Sequence, residues 1–352
     1  MQKLTHMKPN IHPIFDEFDR VYSLLSEHKE ESLLFPSVLD SRFSALYDTF
    51  VEYTDHKGNV EFKDREYPKL EYPTNDDTII VCFSGGKDSI AVTKYYLDLG
   101  YKVHLYHLRH INSALTDEYL VAQELADYLN LPIYIDDIKL SGHHEYVEHP
   151  MKNFIIANGA LQYGIMSGVG TNLAIGNYLG STIYYDNFEF CGGDDMEMWE
   201  IYNNIMSTFI PNFKMNVVLE DIEQTLKIVC PHRDLLDLSV SCLGRASMRD
   251  YWRNWVLTKY GVNIPKHRCG RCYKCCVEYI WMTDHDLQEY NEDYYKYCFT
   301  NLQSNVQRED DVKYYLHEVW EHYFSYSWDE SKYFKGDMPM FKRHIDGVYN
   351  VV

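Results

Sequence analysis

The sequence predicts a doubly wound α/β fold: a parallel sheet covered on both faces, with a cysteine-rich metal-binding segment and helical extensions at both ends. Three observations carry this. The apolar, β-branched run Thr78–Phe83 leads directly into Ser84-Gly85-Gly86-Lys87-Asp88-Ser89, and a helical pattern starts at Ile90. Strand-like and helix-like stretches then alternate through residues 76–240, the spacing of parallel strands joined by crossover helices. Further on, Cys269, Cys272 and Cys275 form two Cys-x2-Cys steps that share the middle cysteine.

Within residues 1–75, Ile14, Phe15, Phe18, Val21, Tyr22, Leu24 and Leu25 recur at helical spacing, so this zone reads as a helical extension. A polar, proline-containing stretch from Tyr53 to Asp77 reads as the connection into the main domain. Residues 76–240 form that domain. Its first strand, 78–83, feeds a helix from Asp88 to Leu99 that Gly100 stops. A second strand covers 102–108. A second helix runs from Thr116, its expected cap, to Leu129, with Ala122, Leu125, Ala126 and Leu129 on one face. A short strand at 132–135 and helices at 152–165 and 196–208 follow. Residues 241–290 are the cysteine-rich segment. Residues 291–352, aromatic and charged, read as a second helical extension with a helix at 311–326.

Composition limits the function. The chain has 352 residues, 45% of them hydrophobic, so a sizeable core is expected and global disorder is not. The net charge of −20 repels nucleic acid over most of the surface, and a polynucleotide is not the expected direct partner. No apolar run approaches the roughly 20 residues of a membrane span, and Met1–His6 lack an apolar signal core, so the expected location is the cytoplasm. Nine cysteines in a reducing compartment suggest free thiols and metal ligands.

The glycine turn is the chemical signal. A turn feeding a helix N-terminus presents unpaired backbone N–H groups and the positive end of the helix dipole, which together bind phosphate. Gly85 and Gly86 permit backbone conformations and close approach that side chains forbid. Ser84 and Ser89 add hydroxyls, Lys87 neutralises phosphate charge, and Asp88 is placed to cap the helix. An ordinary Gly-Gly turn is the bland reading; the full string after a β-branched strand favours nucleotide binding. It is not the Gly-x4-Gly-Lys-Ser/Thr loop of the common NTPases. It resembles the PP-loop of the N-type ATP pyrophosphatases (adenine nucleotide alpha hydrolase fold). That resemblance implies cleavage of ATP between its α- and β-phosphates, adenylation of a carbonyl or carboxyl oxygen, and displacement of AMP by a nucleophile.

Three thiolates spaced as Cys269, Cys272 and Cys275 can face one metal, and a closed tetrahedral site takes four ligands. Cys242, Cys276, Cys230 and His267 are the candidates for the fourth. Zinc is the expected ion, with an iron–sulfur cluster or free buried cysteines as the alternatives. A PP-loop followed by Ser241-Cys242 and then Cys-Gly-x-Cys-x-x-Cys resembles the 7-cyano-7-deazaguanine synthase (QueC-like) family over about residues 76–280. The resemblance implies Zn2+ on Cys242, Cys269, Cys272 and Cys275, and ATP with Mg2+ at the turn. It further implies catalytic roles for Lys87, Asp88 and Lys152, and a nucleotide and substrate site that includes Arg109, His110, Asn153, Asp194 and Asp195. The substrates it implies are a carboxylated 7-deazapurine and ammonia or an amine. Lys152 stands where the family has Arg, the stretch 243–268 is longer, and both extensions are extra, as in a divergent member with a changed acceptor. Those extensions leave room for a homodimer or a protein partner. A sulfonucleotide reductase-like enzyme, a tRNA-modifying PP-loop enzyme and a nucleotide-sensing component of an assembly are the rival readings.

Other clusters have plainer explanations. His104, His107 and His110 lie on a strand, where a spacing of three alternates faces and gives no metal triad. His143, His144, Glu145 and His149 read as a polar loop, and Cys191 as a structural thiol. Asp194-Asp195 serves equally well as a Mg2+ or substrate site and as a capping turn before Met196.

Overall fold

The computed structural model describes residues 13–26, 37–54, 59–68, 70–72, 74–110, 118–138, 152–178, 196–220, 222–240 and 246–308. Its centre is a five-stranded, all-parallel sheet of order β5-β4-β3-β6-β7. The strands are β3 (Thr78–Cys82), β4 (Lys102–His110), β5 (Ile133–Ile138), β6 (Asn172–Tyr178) and β7 (Lys214–Glu220). The predicted doubly wound α/β class is the one found.

β3 is buried at all five positions, as a central strand covered on both faces must be. Alternation divides it: Ile79, Val81 and Phe83 enter one core, Ile80 and Cys82 the other. The first core is covered by α3 (Lys87–Asp98), α4 (Glu118–Leu129), α7 (Ile222–Val229), α8 (Arg233–Leu238), α9 (Ala246–Tyr260), α10 (Tyr273–Asp284) and α11 (Glu292–Arg308). The second is covered by α1 (Ile14–Ser26), α2 (Ser44–Thr54), α5 (Lys152–Ser167) and α6 (Met196–Phe209). Gly100, at φ +84°, ends α3 as the sequence predicts.

The first 75 residues differ from the helical reading. Besides α1 and α2 they hold a two-stranded parallel sheet of β1 (Ser37–Asp40) and β2 (Val60–Lys63). Two buried carboxylates, Glu17 and Asp40, gather arginines around this small sheet. Glu17 accepts from Arg20 and Arg65, and Asp40 takes Arg42 through Nε at 2.6 Å and Nη2 at 2.7 Å. Arg42 also lies 4.2 Å from the Phe209 ring of α6, which ties this layer to the second core.

Strands β6 and β7 were not evident from sequence. Asn172, Gly176 and Asn177 give β6 little β-propensity, so tertiary context sets the strand. The β6 strand lies beside β3, with Ile80 opposite Leu173 and Val81 opposite Ala174. Since β3 leads to α3 over the first face and β6 leads to α6 over the second, the sheet's switch point lies between them. Ligands of such sheets bind beyond the carboxyl ends of the strands at that point. Thr116, the helix expected at 311–326, and His143 to His149 fall outside the described residues.

Candidate functional site

The Ser84–Ser89 turn sits at the switch point. Phe83 donates its N–H to the Tyr106 carbonyl at 2.7 Å, which extends the β3–β4 pairing to the edge of the turn. Gly85 then takes φ +78°, a conformation a side chain would strain. Serine hydroxyls close the turn. The Gly86 N–H donates to Ser84 Oγ at 3.2 Å, the Ser89 hydroxyl donates to the Gly86 carbonyl at 2.9 Å, and the two hydroxyls stand 3.3 Å apart.

Asp88 does not cap α3. The N-cap is Gly86, which makes no side-chain cap bond, and Asp88 lies inside the first turn. Its carboxylate therefore remains available: Oδ1 is buried with no hydrogen-bond partner. The Lys87 ammonium is 4.0 Å away, in ion-pair range but too far for a hydrogen bond. Lys87 itself is only 6% exposed. A carboxylate oxygen without a hydrogen bond, a buried ammonium and a helix N-terminus within one turn form a site that fits a polyphosphate with its cation.

Two residues that sequence reasoning missed place this turn. A Cβ on Gly176 would meet the Asp88 carbonyl oxygen at 2.9 Å and Val92 Cγ2 at 2.8 Å, so only glycine lets α3 start flat against β6. A lone glycine inside a strand was the available signal. His107, buried beneath the turn, holds the Phe83 carbonyl through Nδ1 at 2.8 Å. A carbonyl only accepts, so Nδ1 carries the proton. Burial depresses the basicity of this imidazole. His104 contacts Tyr163 on the opposite face, as strand alternation requires.

The remaining predicted residues divide by position. Arg109 ends β4 one strand away from the turn, bonded to Asp137 at 2.6 and 2.7 Å and stacked 4.6 Å from the Tyr119 ring. His110 closes β4, and Lys152 and Asn153 open α5; parallel topology puts all of these at the carboxyl edge that carries the turn. The side chains of His110 and Lys152, and Asp194, Asp195, Cys191 and Cys242, lie outside the described residues.

Cys269, Cys272 and Cys275 converge. Their sulfurs all lie within 4.8 Å of one another, at 3.9 Å for Cys269–Cys275 and 3.4 Å for Cys272–Cys275. The backbone N–H groups of Arg271 and Cys272 both donate to Cys269 Sγ at 3.3 Å. Trp252 packs on the cluster, and the Arg271 guanidinium stacks 3.8 Å from that ring. The rival fourth ligands point elsewhere. Cys276 faces the Arg271 carbonyl and Asn301. Cys230 is buried near Glu278, Arg268 and Lys87, and burial drives its thiol well up. Neither Cys230, Cys276 nor His267 joins the three-sulfur group among the described residues.

A buried ion pair links the two sites. Arg268, 1% exposed, bonds Glu278 through Nε at 2.8 Å and Nη2 at 3.0 Å. It also bonds Ser239 at Oγ and at its carbonyl. The next residue, Val240, donates its N–H to the Gly85 carbonyl at 2.9 Å. No helix among the described residues is long and apolar enough to cross a membrane.

No known family profile matches this chain. It is similar to "7-cyano-7-deazaguanine synthase 2" of Sulfurisphaera tokodaii, at 29% identity over 141 residues, which cover 39% of this chain and 30% of that protein. The chain thus spans under a third of the curated relative it matches. Among solved structures it is similar to NMN synthetase from Francisella tularensis, with a TM-score of 0.33 and 12% identity, covering 66% of this chain and 86% of that one. It is also similar to the U34-tRNA thiolase NcsA from Methanococcus maripaludis with its [4Fe-4S] cluster, with a TM-score of 0.31 and 20% identity, covering 55% and 69%.

Proposed function

We propose that this protein is an ATP-dependent PP-loop enzyme that adenylates a carboxylate and passes the acyl group to ammonia or an amine. The observation that supports this best is the turn itself: the buried Lys87 ammonium and Asp88 Oδ1, which makes no hydrogen bond, flank the N-terminus of α3 at the switch point. The stretch similar to a 7-cyano-7-deazaguanine synthase favours a carboxylated 7-deazapurine as substrate, with an amide, a nitrile or an amine conjugate as product.

In this reading the β- and γ-phosphates lie on the turn. The first N–H groups of α3 and the Lys87 ammonium offset the charge that develops as the bond between the α-phosphorus and its bridging oxygen breaks. The substrate carboxylate oxygen attacks the α-phosphorus and pyrophosphate leaves. The amine nitrogen then attacks the acyl carbon, loses a proton, and AMP departs with the acyl oxygen, which gives the amide; with ammonia, a second ATP adenylating the amide oxygen and a second loss of AMP would give the nitrile. Asp88 Oδ1 is the residue atom suited to hold Mg2+, which supplies further charge neutralisation on the phosphates. Lys152, Arg109, His110, Asn153, Asp194 and Asp195 are the candidates for substrate contact at the same edge.

Cys269, Cys272 and Cys275 would hold zinc, in a structural role. Tetrahedral zinc with sulfur at about 2.3 Å sets sulfur–sulfur edges of about 3.8 Å; the Cys269–Cys275 edge is 3.9 Å and the Cys272–Cys275 edge is tighter, at 3.4 Å. A cluster with one cysteine on each iron would spread its sulfurs further apart. Cys242 is the proposed fourth ligand. It follows Ser239 by three residues, and Ser239 is hydrogen-bonded to the side chain of Arg268, the residue before Cys269. Three residues of chain span up to roughly 10 Å. A sulfonucleotide reductase-like reading asks for a reactive thiol, but among the described residues burial pushes Cys82 up to about 12 and raises Cys230, and a hydrogen bond with Cys298, together with burial, raises Cys276.

The test is product analysis with ATP, Mg2+, ammonia and a panel of carboxylated 7-deazaguanines. AMP and pyrophosphate in equal amounts, dependent on one carboxylate, are expected. Release of ADP and phosphate, or no AMP with any carboxylate, would sink the reading.

A further inference from the structure

We propose that the buried Arg268–Glu278 pair is a positioning clamp that makes the phosphate turn's affinity for ATP depend on the metal centre. The inference rests on the reading of the turn as the ATP site and of the cysteine knuckle as the metal site.

The clamp joins three pieces of chain. Arg268 immediately precedes Cys269. Glu278 lies on α10, the helix that Cys272 caps and that carries Cys275. Their bond therefore spans both arms of the knuckle. The guanidinium's other donors reach Ser239 Oγ at 2.9 Å and the Ser239 carbonyl. The Ser239 hydroxyl in turn donates to the Leu236 carbonyl at 3.0 Å, fixing that segment against α8. Val240 completes the path through its 2.9 Å bond to the Gly85 carbonyl. Gly85 is thus linked through Val240 and Ser239 to the arginine that precedes a proposed metal ligand.

Stability alone does not account for this pair. A buried ion pair is seldom more stabilising than packed apolar side chains of the same volume. Its geometry is what apolar residues cannot reproduce. One planar guanidinium grips a carboxylate on one side and a backbone carbonyl with its hydroxyl on the other, and lysine lacks that fork. An element held at both ends in this way transmits displacement. A metal held by the three sulfurs would keep Arg268 and Glu278 in register and Val240 against Gly85; its loss would free the two arms of the knuckle and with them the support of the Gly85 carbonyl.

Coupling of this kind is reciprocal: metal must tighten ATP by the same factor as ATP tightens metal. The experiment uses the full chain, with ATP affinity measured by calorimetry on metal-loaded and chelator-stripped protein. Metal affinity is measured by competition with a chromophoric chelator, with and without ATP. In wild type both factors should agree and fall within the roughly 5- to 150-fold range of allosteric couplings. In Glu278→Gln, still metal-loaded by elemental analysis, the factor should collapse toward one. If Glu278→Gln fails to fold, Ser239→Ala removes a single clamp bond and should lower the factor partway. ATP affinity that ignores metal removal in wild type overturns the clamp and leaves the ATP site standing, as does an unchanged factor in either variant. Metal-loaded wild type that binds no ATP at all sinks the reading of the turn, and the clamp with it.

Discussion

In the Ser84–Ser89 turn the groups offered to a ligand are mostly backbone N–H groups, whereas in the Cys269–Cys275 knuckle they are side-chain sulfurs. The turn's shape is held by the fold around it. Strand β3, the φ of Gly85 and the first turn of α3 fix its donors, and burial of β3 on both faces supplies the rigidity. The knuckle also has a held half, the two N–H groups that donate to Cys269 Sγ, but the three thiolates that the proposed metal would take repel one another without a cation among them. The turn should therefore keep its shape when emptied, while the knuckle should not.

The harshest way to break this contrast is to remove the metal. Structural zinc contributes on the order of 10 kcal/mol in small domains, although here the adjoining core carries much of the fold. Chelation should strip hydrogen-exchange protection from residues 268–276 while amides in β3 remain protected. Cys272→Ser should weaken metal binding by more than the roughly ten- to hundredfold seen for changes outside the ligand shell. Equal loss of protection in both regions would show that the turn is no more self-supporting than the knuckle.

A second perturbation acts on the link between them. Glu278→Ala leaves Arg268 charged and buried without its partner, which costs about 3–5 kcal/mol in comparable pairs. Urea denaturation should register that loss. Replacing both residues with apolar ones of similar size should restore most of it, because the penalty lies in the unpaired charge. If the double variant is no better than the single one, the pair contributes stability by itself.

These contrasts bear on what the sequence could reveal. The turn was legible because its parts are contiguous: a β-branched strand, two glycines and a helix start within about a dozen residues. The three knuckle cysteines were legible for the same reason. The Arg268–Glu278 pairing could not be recognised, since the two are ten residues apart and the other partner of Arg268, Ser239, lies 29 residues before it. The β6 strand escaped for a different reason. Its asparagines and glycine argue against a strand locally, and the contact that requires Gly176 is with α3, more than eighty residues earlier. Asp88 was correctly placed in the turn but given the wrong task, because the chain needs no cap where the glycine itself begins the helix.

Gly176 sharpens the comparison from the side of the turn. An added methyl at 2.9 Å from a backbone oxygen must displace the first turn of α3, and overpacking of this kind costs about 1–3 kcal/mol. Gly176→Ala should lower ATP affinity and leave metal content unchanged. Gly85→Ala meets open enough space, 3.4 Å to Val121 Cγ1, and loses instead the left-handed conformation, about 1–2 kcal/mol. A drop in metal content with intact ATP binding in either variant would reverse the assignment of these glycines to the turn.

The mildest probe is protonation of His107. Its folded pKa lies below the ordinary histidine value of about 6.5 because burial disfavours the imidazolium. Above that value both folded and unfolded chains hold neutral imidazole, so the group adds no pH dependence. As pH falls below about 6.5 the unfolded chain binds the proton first, and stability declines until the folded pKa is reached. The slope in that window is up to about 1.4 kcal/mol per pH unit for one proton. His104 and His267 are depressed in the same direction, so wild type alone cannot apportion the effect. His107→Asn can, because an amide N–H donates to the Phe83 carbonyl as Nδ1 does and does not titrate. Denaturation of both proteins from pH 8 to pH 5 should give curves that coincide above about 6.5 and diverge below, with the variant flatter. Curves that stay parallel throughout would mean that His107 is protonated as readily in the fold as outside it, and that the floor beneath the phosphate turn is wet.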